Sequence, residues 1–337
     1  MSREIFLNAM TGKNAPRYIP ACGSAVSMVT TELMDRCGCS FPEAHCDAEL
    51  MAGLAMAGHT ITGFDNVMPV FSTRHEMAAL GAEVNWGKKN IMPDSKKALL
   101  GSLDELVAIP ADFLKRPAAK VVLDALGLLK QRLGNDAAVL GKVFGPWTLG
   151  YDVYGVEDFL IGSLTEPDKV KRAMEKMLDV TLLFIRAQIE AGADAIALCD
   201  HCTRDLCSPE TYRDFLLEIH TRIVAETPVP IVLHICGNTG DRIAYIRETK
   251  VAMFHYDSRT GIAKAIAEAG DMPLMGGTDN ISIVRNGTPE TVEIDIQEKL
   301  ANKIAIIGPE CAVPLDAPNR NLEQIASLVR AYRAEKK

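Results

Sequence analysis

Pro228-Val229-Pro230-Ile231-Val232-Leu233-His234-Ile235-Cys236-Gly237-Asn238-Thr239-Gly240 decides how the rest of this chain reads. A short apolar run, bounded by prolines on one side and glycines on the other, has the length and composition of a buried strand. Residues two apart on a strand share a face. His234 and Cys236 therefore leave the end of this strand side by side, and an imidazole next to a thiol is half of a zinc site.

Working outward, seven more apolar runs look alike. Strands are expected at 19–22, 61–67, 137–144, 193–199, 230–236, 251–256, 272–276 and 303–308. Helical segments separate most of them. The expected helices begin at Ser24 (to about Arg36), Ser40 (to about Gly58), Ser102, Ala118 (to Leu133), Thr165-Glu166-Pro167 (to Gly192), Ser208-Pro209-Glu210, Ile243, Gly261, Thr288-Pro289-Glu290 and Asn319. Serine or threonine caps with an early proline or glutamate mark several of these starts. A first helix ends near Lys13, and Pro16–Gly23 reads as a short extended run. Residues 71–100 read as a hairpin or irregular insertion.

Strict alternation of strand and helix gives a parallel sheet with helices outside it, and eight units fit an α/β (β/α)₈ TIM barrel. An open doubly wound sheet is the alternative, but no glycine-rich phosphate loop follows the first strand. The expectation is a single barrel domain over 1–337, with an N-terminal helical extension and the insertion near 71–100.

The 337 residues are 48% apolar, enough for a large core, and carry a net charge of −8. Without a basic block, neither nucleic acid nor an anionic membrane is an expected partner. The opening MSREIFLNAMTGKN has no apolar leader core and no apolar run reaches spanning length, so a cytoplasmic protein is expected. Nine cysteines in such a chain read as reduced thiols, some of them ligands.

Catalytic residues of a barrel lie at the carboxyl ends of its strands. Those positions carry Cys22, Asp65, Asn66, Trp147, Thr148, Asp200, His201, His234, Cys236, Asn238, Asp257, Asp279, Asn280, Glu310 and Cys311. The third zinc-type ligand would be Cys311, which follows the eighth strand with 74 residues intervening after Cys236. Two thiolates and one imidazole favour zinc, and three protein ligands leave a fourth position for substrate. The competing reading is a set of buried thiols and a hydrogen-bonded histidine. Cys199-Asp200-His201-Cys202 with Cys207 is a rival cluster, although adjacent residues point apart. Cys37-Gly38-Cys39 with His45 and Cys46 is another, at a helix end where packing thiols are common. Asp257 could be a ligand or base, or could cap the helix that follows it.

The segments PIVLHICGN (230–238), GGTDNISIVRNGTPE (276–290) and CAVPLD (311–316) resemble the uroporphyrinogen decarboxylase superfamily, and more closely its zinc branch, the methylcobamide:coenzyme M methyltransferases. The stretch from Thr30 to Val67 is similar to the same branch, and Gly145-Pro146-Trp147-Thr148 matches a superfamily motif. The resemblance implies a (β/α)₈ barrel with zinc on His234, Cys236 and Cys311. It implies methyl transfer from a methylated corrinoid, carried by a partner protein, to a thiol such as coenzyme M. Asp257 would then join the three ligands as a catalytic residue. Asp200, His201, Asn238 and Asp279 would face the cofactor or orient substrate. The same branch leaves open the reverse traffic, from a methylated substrate such as a methoxylated aromatic to cobalt(I). A decarboxylase would carry an arginine-rich signature near the N-terminus, where this chain has Arg17-Tyr18-Ile19-Pro20-Ala21. A non-catalytic binding barrel is the remaining alternative.

Overall fold

The computed structural model describes residues 2–13, 17–95 and 97–335; Pro16, at the head of the expected extended run, lies outside them. Eight parallel strands form one sheet: β1 (Ala21–Cys22), β2 (Asn66–Val67), β3 (Ala138–Phe144), β4 (Ala195–Cys199), β5 (Ile231–His234), β6 (Met253–Tyr256), β7 (Leu274–Gly276) and β8 (Ile306–Ile307). Their spatial order is β1-β8-β7-β6-β5-β4-β3-β2. All eight lie within the expected runs, each shorter than its apolar stretch.

The two ends of this sheet meet at a seam between β1 and β2, which share no ladder. Side chains close it. The Cys22 N–H donates to Asp65 Oδ2 at 2.8 Å, and the Asn66 amide donates to Ser24 O at 2.9 Å while accepting from Ser24 N. One backbone bond, Asp65 N to Cys22 O, completes the join. Arg333 from the last helix pairs with Asp65. The sheet is thereby a barrel with helices outside, and Asp65 and Asn66, expected at the mouth, serve as its clasp.

Small and medium side chains fill the barrel interior: Ala21, Ala138, Leu140, Ala195, Ala197, Val232, Met253, Met275 and Ile306. The helix Ser2–Met10 presses Phe6, Ala9 and Met10 into this same cluster, at the amino-terminal ends of the strands. That end is plugged and the carboxyl end is left for chemistry.

β3 outruns its neighbour β2, so its second edge needs other partners. Gln188 accepts from the Lys142 N–H at 2.8 Å and donates to the Lys142 carbonyl at 2.9 Å. Glu76 accepts from the Phe144 N–H, and Thr181 donates to the Phe144 carbonyl. The barrel wall opens at this side of the mouth without leaving backbone groups bare.

Several helix starts differ from expectation. Residues 24–30 are not helical, because Ser24 is held to the seam; the helix is Thr31–Cys37, capped by Thr30. The cap of the next helix, Ala48–Thr60, is Asp47 rather than Ser40. Ser102–Glu105 is a turn, Ser102 Oγ accepting from Asp104 N–H, with Pro110 downstream barring a helix. Two helices were not expected, Pro146–Tyr154 and Val156–Thr165. Gly145-Pro146 reads as a strand stop, but a proline at the first helical position is equally a start. Residues 71–100 contain the helix Arg74–Leu80 and a small hairpin with Asn85 opposite Asp94. No helix among the described residues is long and apolar enough to cross a membrane.

Candidate metal centre

One row of the barrel runs Phe144, Cys199, His234, His255 across β3 to β6. His234 is the last residue of β5, so its ring stands at the rim. Its Nδ1 lies 3.2 Å from the His255 carbonyl, which can only accept, so Nδ1 carries the proton and the Nε2 lone pair is free. Nε2 is 2.9 Å from Cys236 Sγ, and that sulfur is 2.9 Å from Cys311 Sγ. The three ligand atoms all lie within 4.8 Å of one another. Among the described residues, no other group of three or more His, Cys, Asp and Glu side chains gathers so closely.

The loops that carry these ligands are pinned. After Cys236 the chain reverses at Gly237, φ +84°, where an added Cβ would sit 2.4 Å from Thr203 Oγ1. The Gly237 N–H donates to Asp257 Oδ2 at 2.7 Å. On the other side, His255 Nε2 donates to the Pro309 carbonyl at 2.9 Å. Glu310 accepts from the backbone N–H of Ser258 at 2.7 Å and of Asn280 at 3.0 Å, and the Asn280 amide donates to the Ala312 carbonyl. Cys311 is thus held from both sides by the loops after β6 and β7. His255 does two jobs, orienting the His234 ring through its carbonyl and fixing the Cys311 loop through its own ring. Sequence reading missed it; the signal was a histidine inside the apolar run Met253–Tyr256.

The two thiols share their protons unequally. The hydrogen bond from Cys236 drives the Cys311 thiol well below its usual range, and the same bond with burial drives Cys236 up. Cys199, which stands nearby, is pushed up to about 12, mainly by burial.

The centre forms part of the wall of a cavity of about 420 Å³ at the carboxyl ends of the strands. Its other walls include Phe71, Arg74, Lys142, Phe144, Tyr151 and His201. A smaller cavity, about 320 Å³, lies at the amino-terminal end beside Tyr18, Met272 and Lys303, away from the thiols.

The remaining expected site residues separate into two groups. His201 lines the cavity, its backbone N–H held by Thr148 Oγ1 at 2.7 Å and its carbonyl by the Tyr151 hydroxyl. Burial lowers its pKa. Asp200 also borders the cavity, but its carboxylate accepts from Thr148 N–H and Oγ1, from Trp147 N–H and from His220 Nε2. It caps the helix Pro146–Tyr154, and Tyr212 in turn donates to His220. Asp257 accepts from Gly237, from Arg259 N–H and from the Arg259 guanidinium, so it sits beside the centre as a clamp on its turn. Asn238 Oδ1 accepts from Gly240 N–H, closing the same turn. Asp279 caps the helical turn Asn280–Arg285. Of the rival clusters, Cys202 and Cys207 lie over Arg242, whose guanidinium donates to both of their carbonyls. Cys37 and Cys39 contact each other's carbonyls at a helix end. Lys142, buried in the barrel interior, was not among the expected site residues; a lysine inside the apolar strand AVLGKVF was the signal.

Against known proteins, the profile of the uroporphyrinogen decarboxylase (URO-D) family matches residues 1–332. A methylcobamide:CoM methyltransferase, MtbA, of Methanosarcina mazei is 31% identical over 90% of this chain and 91% of its own length. A methylated-thiol–coenzyme M methyltransferase of the same organism is 30% identical over 93% of this chain and 84% of its own. A solved methyltransferase from Methanosarcina mazei superposes with a TM-score of 0.93 at 27% identity, covering 98% of each chain.

Proposed function

This chain belongs to the uroporphyrinogen decarboxylase (URO-D) family, and from that premise we propose that it is a zinc-dependent methyltransferase that moves a methyl group from a methylated corrinoid, carried by a partner protein, to a thiol of the coenzyme M kind. The observation that carries the reading is the convergence of His234, Cys236 and Cys311 within 4.8 Å on the wall of an open cavity. The two relatives with the same full-length match, named for coenzyme M methyl transfer, support the direction.

The donor set fits zinc. It is soft, it offers two thiols and one imidazole, and the imidazole has its Nδ1–H already committed to the His255 carbonyl. When bound, zinc supplies Lewis acidity that strips the proton from an incoming thiol, the poor nucleophile becoming a good one at neutral pH. The protein's own residues prepare for this. Cys311 is already biased toward its thiolate by Cys236, so of the two thiols it is Cys236 that must release its proton when a cation binds. Asp257, Glu310 and His255 hold the two ligand loops in one place, which keeps the three donors converged. Phe71 and Phe144 give the cavity an apolar stretch of wall alongside the charged Arg74 and Lys142.

In the transfer, the acceptor thiol gives up its proton and its sulfur lone pair forms the new S–C bond. The Co–C bond breaks with both electrons left on cobalt, which goes from the III to the I state. Porphyrinogen decarboxylation would require cations for several substrate carboxylates, whereas of the cavity's two cations Arg74 is already paired with Asp152.

The test is spectroscopic. Zinc-loaded protein mixed with methylcobalamin and 2-mercaptoethanesulfonate is expected to demethylate the corrinoid, and Cys236→Ala, Cys311→Ala and His234→Ala to abolish it. Turnover independent of these three residues, or cobalt(I) methylation from an aryl methyl ether with no thiol turnover, overturns the reading.

A further inference from the structure

Among the described residues, Lys142 has no counter-ion. It sits on β3 with its residue only 4% exposed. The register pairs it with Ala197 on β4, which in turn faces Val232 on β5, one layer beneath the row that holds Phe144, Cys199 and His234. At ~3.3 Å per residue that layer lies roughly 7 Å below the metal row. The side chain nevertheless reaches the cavity, where its Nζ stands 5.1 Å from the centre of the Phe144 ring. Gln188 locks its backbone on both sides, and the neighbouring Ala197 is small enough to leave room beside the stem.

Among the described residues its nearest charge-stabilising contact is the Phe144 ring, which attracts the ammonium without neutralising it. Its Nζ makes no ion pair among the described residues. Glu76, the acid whose field reaches it, is held up to about 8 by burial, so it keeps its proton at neutral pH, and one of its oxygens is committed to the Phe144 N–H. The other carboxylates on the cavity are engaged: Asp152 by Arg74, and Asp200 by four donors that include His220. A buried ammonium without a partner is costly, and the cost is offset when an anion arrives. Lys142, Cys199 and the three donors line one cavity, and Lys142 springs from the layer beneath the row that holds Cys199 and His234.

We propose that Lys142 sets acceptor specificity: its ammonium holds an anionic group, sulfonate or carboxylate, at the far end of a short thiol whose sulfur is presented to His234, Cys236 and Cys311. This rests on the methyl-transfer reading above and adds to it the residue that reads the tail. The geometry orients the acceptor, since the anionic end is drawn to the floor and away from the two cysteine sulfurs. A neutral thiol has no such anchor.

The experiment compares 2-mercaptoethanesulfonate, 3-mercaptopropionate and uncharged 2-mercaptoethanol as acceptors from methylcobalamin, with zinc-loaded wild type, Lys142→Met and Lys142→Arg. Wild type is expected to favour the sulfonate, the carboxylate or both over the alcohol by about 10- to 100-fold in kcat/KM, the range of one charged hydrogen bond. The ratio between the two anionic thiols tells sulfonate from carboxylate. In Lys142→Met the preference for the anionic thiols should collapse toward one, through KM, and Lys142→Arg should retain part of it. A proportional loss with all three thiols, which a structural or proton-transfer role would give, overturns the proposal, as does an intact preference in Lys142→Met. If wild type turns over no thiol at all, the methyl-transfer reading fails on its own, and calorimetry with ethanesulfonate still tests Lys142. Binding weakened tenfold or more in Lys142→Met, with zinc content and melting temperature retained, supports it; equal binding or none overturns it.

Discussion

His255 joins the two halves of the centre, its carbonyl receiving His234 Nδ1–H and its Nε2–H reaching the loop of Cys311. The backbone carbonyl survives any substitution, so His255→Phe removes only the tie to Pro309. Partners of this kind are worth about 10- to 100-fold in metal affinity, and His255→Phe should weaken zinc binding by that order in a chelator competition; an unaltered affinity would show that Cys311 is placed without it. At this scale the sequence showed the three converging donors better than their supports. His234 and Cys236 were legible because residues two apart on a strand share a face, and Cys311 because it follows another strand of the same barrel. Asp257 and Asp279 read as site residues for the same positional reason, yet a carboxylate beyond a strand end caps a turn as readily as it meets a ligand. His255 and Lys142 were passed over because a polar residue within an apolar run does not say which side of the barrel it faces.

β3 shows how an element is stabilised where its neighbour gives out. Glu76 substitutes for a missing strand by accepting from the Phe144 N–H, and its second oxygen is buried without a partner. Burial raises its pKa from 4.5 to about 8. The native protein therefore keeps a proton that the unfolded chain releases above about pH 4.5, so this group's contribution is fully present at low pH and is lost as pH rises through about 8. Glu76→Gln, which cannot ionise, should show a smaller fall in melting temperature between pH 6 and pH 9 than wild type; identical slopes would mean that Glu76 does not carry this dependence. The strands themselves were legible because buried parallel strands are continuous apolar runs bounded by breakers. The helices at 146–165 were not, since Gly145-Pro146 ends one element and begins the next within two residues. Ser102 failed as a cap because Pro110 stops any helix it might have opened.

Across the whole molecule, the barrel separates stability from chemistry. The helix Ser2–Met10 and the small inward residues fill the amino-terminal end, the Asp65–Arg333 pair fastens the seam, and the carboxyl end holds the cavity with the three donors. Eight strand–helix units were enough to expect a closed barrel, but the seam was not legible, because two-residue strands joined by side chains leave almost no pattern. Strands β5 and β8 lie apart in sequence, with β6 and β7 between them in the sheet, and closure into a barrel turns their carboxyl ends toward one cavity. The central claim is that this closure builds a three-ligand zinc site with one position open to a thiol. X-ray absorption at the zinc edge reads it directly. The protein alone should show two sulfur ligands and one imidazole nitrogen, and addition of 2-mercaptoethanesulfonate should raise the sulfur count to three. A site with four protein ligands that ignores the added thiol would contradict the account.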